Sequence, residues 1–321
     1  MGANASAPLH RLAPPLALGG LTLLACASLL FALSQGSVTI TLDQLWQGLT
    51  RADSPTALLL TELRLPRALS AFAVGGLLAL AGALMQALLR NPLADPYVLG
   101  VSGGAAVGAL LAILLGAGSL WIGGGSFIGA LGSMLLVFTL AHGRGSWTPT
   151  RLLLTGIVIA SGWGALINFI LAISPDDSLR GMLFWLMGDL SHIPAPTTAL
   201  VVLLVALLLC LPLGRSLTLL GRGEAQAQAL GVAVTPLRLA IYVIASLITA
   251  VAVTTAGSVG FVGLVVPHLV RLALGNDQRI LLPASILLGG SLLVCADTLA
   301  RTLIAPPATA GGGVDGRLVV A

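Results

Sequence analysis

Long apolar runs separated by short polar breaks dominate this chain. A helix needs about 20 apolar residues to cross a bilayer. That length predicts nine membrane helices, at residues 15–34, 68–89, 98–117, 119–141, 151–173, 196–214, 238–257, 261–274 and 281–304. The eighth is short, and the third and fourth nearly touch. The pattern predicts an all-α polytopic membrane protein. Small residues recur at four-residue spacing, as in Gly75/Ala79/Ala83, Gly104/Gly108, Gly125/Gly129 and Gly156/Ala160/Gly164. Such faces let helix backbones approach closely in lipid.

Three polar breaks carry patterns of their own. In the Ser37–Arg67 segment, Thr41 before Asp43 and Gln44 predicts a capped short helix. In Ser174–Ser191, Ser178 is the expected cap of another. Arg215–Pro236 reads as two short helices, split at Gly221-Arg222-Gly223 and stopped by Gly231. It is too polar to span and too good a helix former for a slack linker.

Composition supports the membrane reading. The 321 residues are 57% hydrophobic and only 8% charged, against about 25% charged in soluble domains. All 15 basic residues are Arg. A Walker A loop needs a Lys, so a conventional P-loop is excluded and any ATP-driven work falls to another subunit. Cys26, Cys210 and Cys295 are scattered through apolar runs and predict neither disulfides nor zinc. His10, His142, His192 and His268 are equally dispersed, so neither a metal nor a cofactor is expected. With the N-terminus placed in the cytoplasm, nine arginines fall inside and six outside. Inside the spans, Gln86, Asn168, His268 and Asp297 need a reason for being polar. Asp297 lies four residues before Arg301, which predicts an ion pair on one helix face.

Several motifs carry a family resemblance. They are Arg64-Leu-Pro-Arg67, Gly82-Ala-Leu-Met-Gln86, Arg90-Asn-Pro-Leu-Ala-Asp-Pro96 and Leu99-Gly-Val-Ser-Gly-Gly-Ala105. Trp185-Leu-Met-Gly188, Gly223-Glu-Ala with Ala229-Leu-Gly-Val232, Phe261 to His268 and Ala296-Asp297 with Arg301 continue the series. Over about residues 15 to 305 the chain resembles FecCD-type permeases, the membrane subunits of type II ABC importers for iron-siderophores, haem and cobalamin.

The resemblance implies a ten-helix bundle, paired with a second permease subunit as a homodimer or heterodimer around one pathway. It implies cytoplasmic ABC ATPase subunits beneath, an extracytoplasmic substrate-binding protein above, and surrounding membrane lipid. No nucleic acid is implied. The expected location is the bacterial cytoplasmic (inner) membrane. Arg64, Arg67 and Arg301 match arginines that dock the binding protein's glutamates. Leu217, Leu220, Arg222, Glu224, Ala225, Leu230 and Gly231 match the ATPase-coupling segment. Gln86, Ser161 and Asn168 are the expected pathway residues. Asn91, Pro92, Asp95 and Pro96 form the expected structural turn.

The end departs from the family. Residues 1–305 read as a single permease domain with nine spans and the tenth missing. Residues 306–321 form an atypical tail, for which a one-base frameshift or a truncation is the expected cause. The leading function is an importer permease for ferric siderophores or related iron chelates. Cobalamin and haem are the alternative cargoes, and a secondary transporter or a membrane-embedded enzyme the alternative classes. A secondary transporter would need ionisable groups in mid-span, and an enzyme a clustered His, Asp, Glu or metal site.

Overall fold

The computed structural model describes residues 13–36, 40–51, 54–142, 148–190 and 196–304. The tail at 306–321, where the frameshift or truncation and the missing tenth helix are expected, lies outside the described residues.

The molecule is all-helical among the described residues. In chain order the helices are α1 (Pro14–Ser34), α2 (Leu42–Thr50), α3 (Pro55–Leu58), α4 (Leu65–Leu89), α5 (Val101–Leu114), α6 (Ser119–His142) and α7 (Pro149–Ile173). Then come α8 (Asp176–Met187), α9 (Thr197–Cys210), α10 (Gly214–Arg222), α11 (Glu224–Ala229), α12 (Val234–Ala256), α13 (Val262–Leu274) and α14 (Gln278–Ile304).

Six stretches are long and apolar enough to cross a membrane: α1, Thr56–Leu89, α6, α7, α12 and Gln278–Leu303. The predicted span at 196–214 is shorter and bent. Its helix α9 meets α10 at 66°, and the pair makes a seventh span if taken together. The predicted spans at 98–117 and 261–274 contain only the 14-residue α5 and the 13-residue α13. At 1.5 Å per residue each is roughly 20 Å long, short of a bilayer core.

The second predicted helix starts earlier than expected. Thr56–Leu89 is one continuous helical stretch, with a π-helical turn at Leu59–Arg64. Pro66 explains the widened turn. It lacks an N–H and its ring would strike the carbonyl four residues back, and one extra residue in the turn relieves both problems. The Leu65 N–H accordingly reaches back to the Leu60 carbonyl.

Helix α4 is the axis of the bundle. It is buried along most of its length and packs against α14, α12, α13 and α9. Small residues make this possible. A Cβ on Gly75 would collide with the Gly289 carbonyl, and one on Gly82 with the Gly263 carbonyl. Pro267, inside α13, removes the N–H that would normally satisfy that Gly263 carbonyl. The glycine stripes of α5 and α6 interlock in the same way, Gly104 against Gly129 and Gly108 against Gly125. By contrast α7 is mostly exposed, with Leu154, Ile157, Val158 and Phe169 outward.

Two irregular breaks brace each other. After α4 the chain turns at Arg90, which adopts left-handed φ 49°, and runs into a 3₁₀ turn at Pro96–Leu99. After α12 it breaks at Gly257 before entering α13. The Tyr97 hydroxyl donates to the Val259 carbonyl at 2.9 Å, and the Ser102 and Ser258 hydroxyls lie 3.0 Å apart. Pro96 packs on Gly263. Non-helical backbone inside a membrane protein needs such partners.

Candidate functional site

One end of the bundle gathers arginines around a carboxylate. Helices α4 and α14 run antiparallel, pairing Gly75 with Gly289 and, two turns on, Arg67 with Asp297. Arg67 grips Asp297 through two nitrogens, with Nη2 2.7 Å from Oδ1 and Nε 3.0 Å from Oδ2. The predicted Asp297–Arg301 pair is present too, at 3.2 Å. Sequence spacing misses the contact with Arg67, because it reports neighbours on one helix but not the register of two. Arg64 is 5% exposed and donates to the Leu33 carbonyl. Of the three expected docking arginines, then, Arg67 and Arg301 share one carboxylate at the surface, and Arg64 lies beneath.

The opposite end carries the two predicted short helices. Arg67 and Leu89 are separated by roughly 33 Å along α4, close to the thickness of a bilayer core. Helix α10 buries Leu217 and Leu220 in the main core. Gly223, at φ 138°, then turns the chain into α11, and Gly231, at φ 81°, ends the segment. Arg222, Ala225, Leu230 and Gly231 remain exposed, Leu230 at 65%. Glu224 faces its own chain. Its Oε2 lies 2.6 Å from Nη2 of Arg238, a residue only 7% exposed at the start of α12. Helix α11 is thereby tied electrostatically to the long helix α12, a pair that no local spacing rule links.

The structural-turn residues cap the Arg90–Pro96 break. The Leu93 N–H donates to Asn91 Oδ1 at 3.0 Å, and the Tyr97 N–H to Asp95 Oδ1 at 2.7 Å. Pro96 opens the 3₁₀ turn, where its missing N–H is harmless. Burial pushes the Asp95 carboxyl above the ordinary carboxylate range, against the opposing pull of the Tyr97 N–H. Burial, and then the Asp95 charge, likewise hold the Tyr97 phenol protonated as a donor.

The three residues expected to line the pathway do not meet. Gln86 is buried and donates to the Leu264 carbonyl at 3.0 Å, bonding α4 to α13. Ser161 and Asn168, seven residues apart, share the exposed face of α7. Ser178 does not cap α8. Pro175 holds the cap position, and the Ser178 hydroxyl donates to the Pro175 carbonyl instead. No cluster of three metal-ligating side chains occurs among the described residues.

This arrangement has close parallels. Residues 23–314 match the FecCD transport family. The chain belongs to that family. A hemin transport system permease of Yersinia pestis is 40% identical over 311 residues, covering 92% of this chain and 90% of the relative. A vitamin B12 import system permease of Klebsiella pneumoniae is 37% identical, covering 88% and 84%. An inward-facing structure assigned to a metal-chelate type ABC transporter superposes with a TM-score of 0.81 at 32% identity, over 90% of this chain and 91% of that one. This FecCD-family chain is therefore the multi-pass permease subunit of an ABC importer and not itself an ATPase. Such a permease implies ATPase and binding-protein partners.

Proposed function

We propose that this permease passes ferric siderophores or related iron chelates across the bacterial inner membrane, N-terminus inside, driven by separate ATPase subunits. The observation that carries the reading is the separation of two built ends on one buried helix. Arginines stand at one end of α4 and an exposed helical pair at the other. Arg forks suit carboxylate partners, so Arg67 and Arg301, backed by Arg64, receive the binding protein. The exposed Arg222, Ala225, Leu230 and Gly231, standing on buried Leu217 and Leu220, seat in the ATPase, and Glu224 passes the push to α12. The exposed face of α7, with Ser161 and Asn168, turns toward the second permease subunit and the pathway. The Gln86 bond holds α4 and α13 together behind it.

A second cargo reading comes from the relatives, one named for hemin and one for vitamin B12. All these cargoes are bulky metal chelates. Cells lacking this gene separate them. Uptake of labelled ferric siderophore restored by the gene supports the iron-chelate reading. Restoration of cobalamin uptake alone refutes it.

A further inference from the structure

A cavity of about 720 Å³ opens at the α10–α11 end of the bundle. It lies where α4 and α6 end and where α7 and α12 begin. Arg90, His142 and Arg238 are the basic residues that line it, and Glu224 is the one acidic residue among the lining residues described. Glu224 is already spent on Arg238 Nη2. Arg238 is itself more than nine-tenths buried, and its Nε has no partner. That Nε is sealed from the cavity, so an occupant meets Arg238 through the outer edge of its guanidinium and its positive charge.

The start of α7 adds to the positive field. A 25-residue helix begins there without an acidic residue in its first turn. Its N-terminus carries a partial positive charge and unpaired N–H groups. The Arg151 N–H is taken by the Thr148 hydroxyl and the Leu152 N–H by the Thr148 carbonyl. Pro149 has none, which leaves the N–H of Thr150, a lining residue.

We propose that this cavity binds a phosphate-bearing anion, supplied by the headgroup of an anionic phospholipid. The volume suits a small polar ligand. The position among the ends of four helices, with one buried and one exposed arginine in the wall, is that of basic pockets which take lipid headgroups at the cytoplasmic face. Leu89 and Leu153 also line it and offer an apolar side to the glycerol and acyl part. A bound phosphate pairs with the charges of Arg90 and Arg238 and fixes α11, through Glu224 and Arg238, against α12. The inference needs no particular cargo.

The test is native mass spectrometry of the purified, delipidated full chain, titrated with phosphatidylglycerol and with phosphatidylcholine of equal acyl length. Calorimetric titration with inorganic phosphate and with ATP runs in parallel in phosphatidylcholine nanodiscs. Phosphatidylglycerol is expected to bind more tightly by about fivefold per arginine engaged. Arg90→Gln and Arg238→Gln should each lower that binding by about fivefold. Glu224→Gln should raise it, a gain that misfolding cannot imitate. Equal binding of the two lipids, or a preference that survives both arginine variants, overturns the proposal. Saturable binding of phosphate or ATP without headgroup preference overturns the lipid as its source.

Discussion

Gly82 sits where a single hydrogen in place of a methyl group lets two helices touch. The Gly263 carbonyl fills the space that a Cβ would occupy, and backbone cannot swing aside as a side chain does. Gly82→Ala should therefore cost about 1–3 kcal/mol of stability and lower the yield of folded protein. Gly132→Ala, with nothing near its Cβ position, should change little. Thermal unfolding of the two variants in detergent checks both. Small-residue stripes are legible in the sequence, but not which carbonyl each faces, because register between helices is set by packing of the whole bundle. Local capping is more legible. Thr41 and Gln44 form a reciprocal capping box, as their spacing suggests. Ser178 loses the corresponding position on α8 because Pro175 has no N–H to leave unsatisfied and sets a fixed φ for helix entry.

At the scale of elements, all nine predicted apolar segments contain helix, but apolar length alone misjudges three of them. Helices α5 and α13 are shortened because the stretches at Pro96–Gly100 and Gly257–Phe261 are apolar yet not α-helical, and the Tyr97 hydroxyl of the first satisfies a carbonyl of the second. Hydropathy counts such residues as span. The bend between α9 and α10 obeys the same logic. Helix α10 carries Arg215 and Arg222 on one side and Leu217 and Leu220 on the other, so it leaves the direction of α9 to lie along the bundle's end. Gly223 then sets the angle between α10 and α11 at a φ that side chains rarely adopt. Gly223→Ala has open space around it, so the folded yield should be near normal while the angle changes. ATP-driven uptake should fall by more than about tenfold, if that angle seats the pair in the ATPase. Unimpaired uptake in the folded variant would show that the angle is not used.

The whole molecule is built around α4. Its Arg67 end is locked to α14 by Asp297, its Gly82 region to α13, and its Leu89 end opens on the cavity beside Glu224 and Arg238. The ion pairs that tie distant segments together, Arg67–Asp297 and Glu224–Arg238, are the least legible features. They join residues 230 and 14 positions apart, and only the folded register brings them together. The measurement that tests the importer mechanism most directly is reconstitution of this chain into liposomes with its ATPase subunits and a binding protein loaded with labelled ferric siderophore. The mechanism predicts accumulation of label inside that requires ATP, the ATPase and the binding protein together. Accumulation without the ATPase, driven by a proton or sodium gradient, would contradict it.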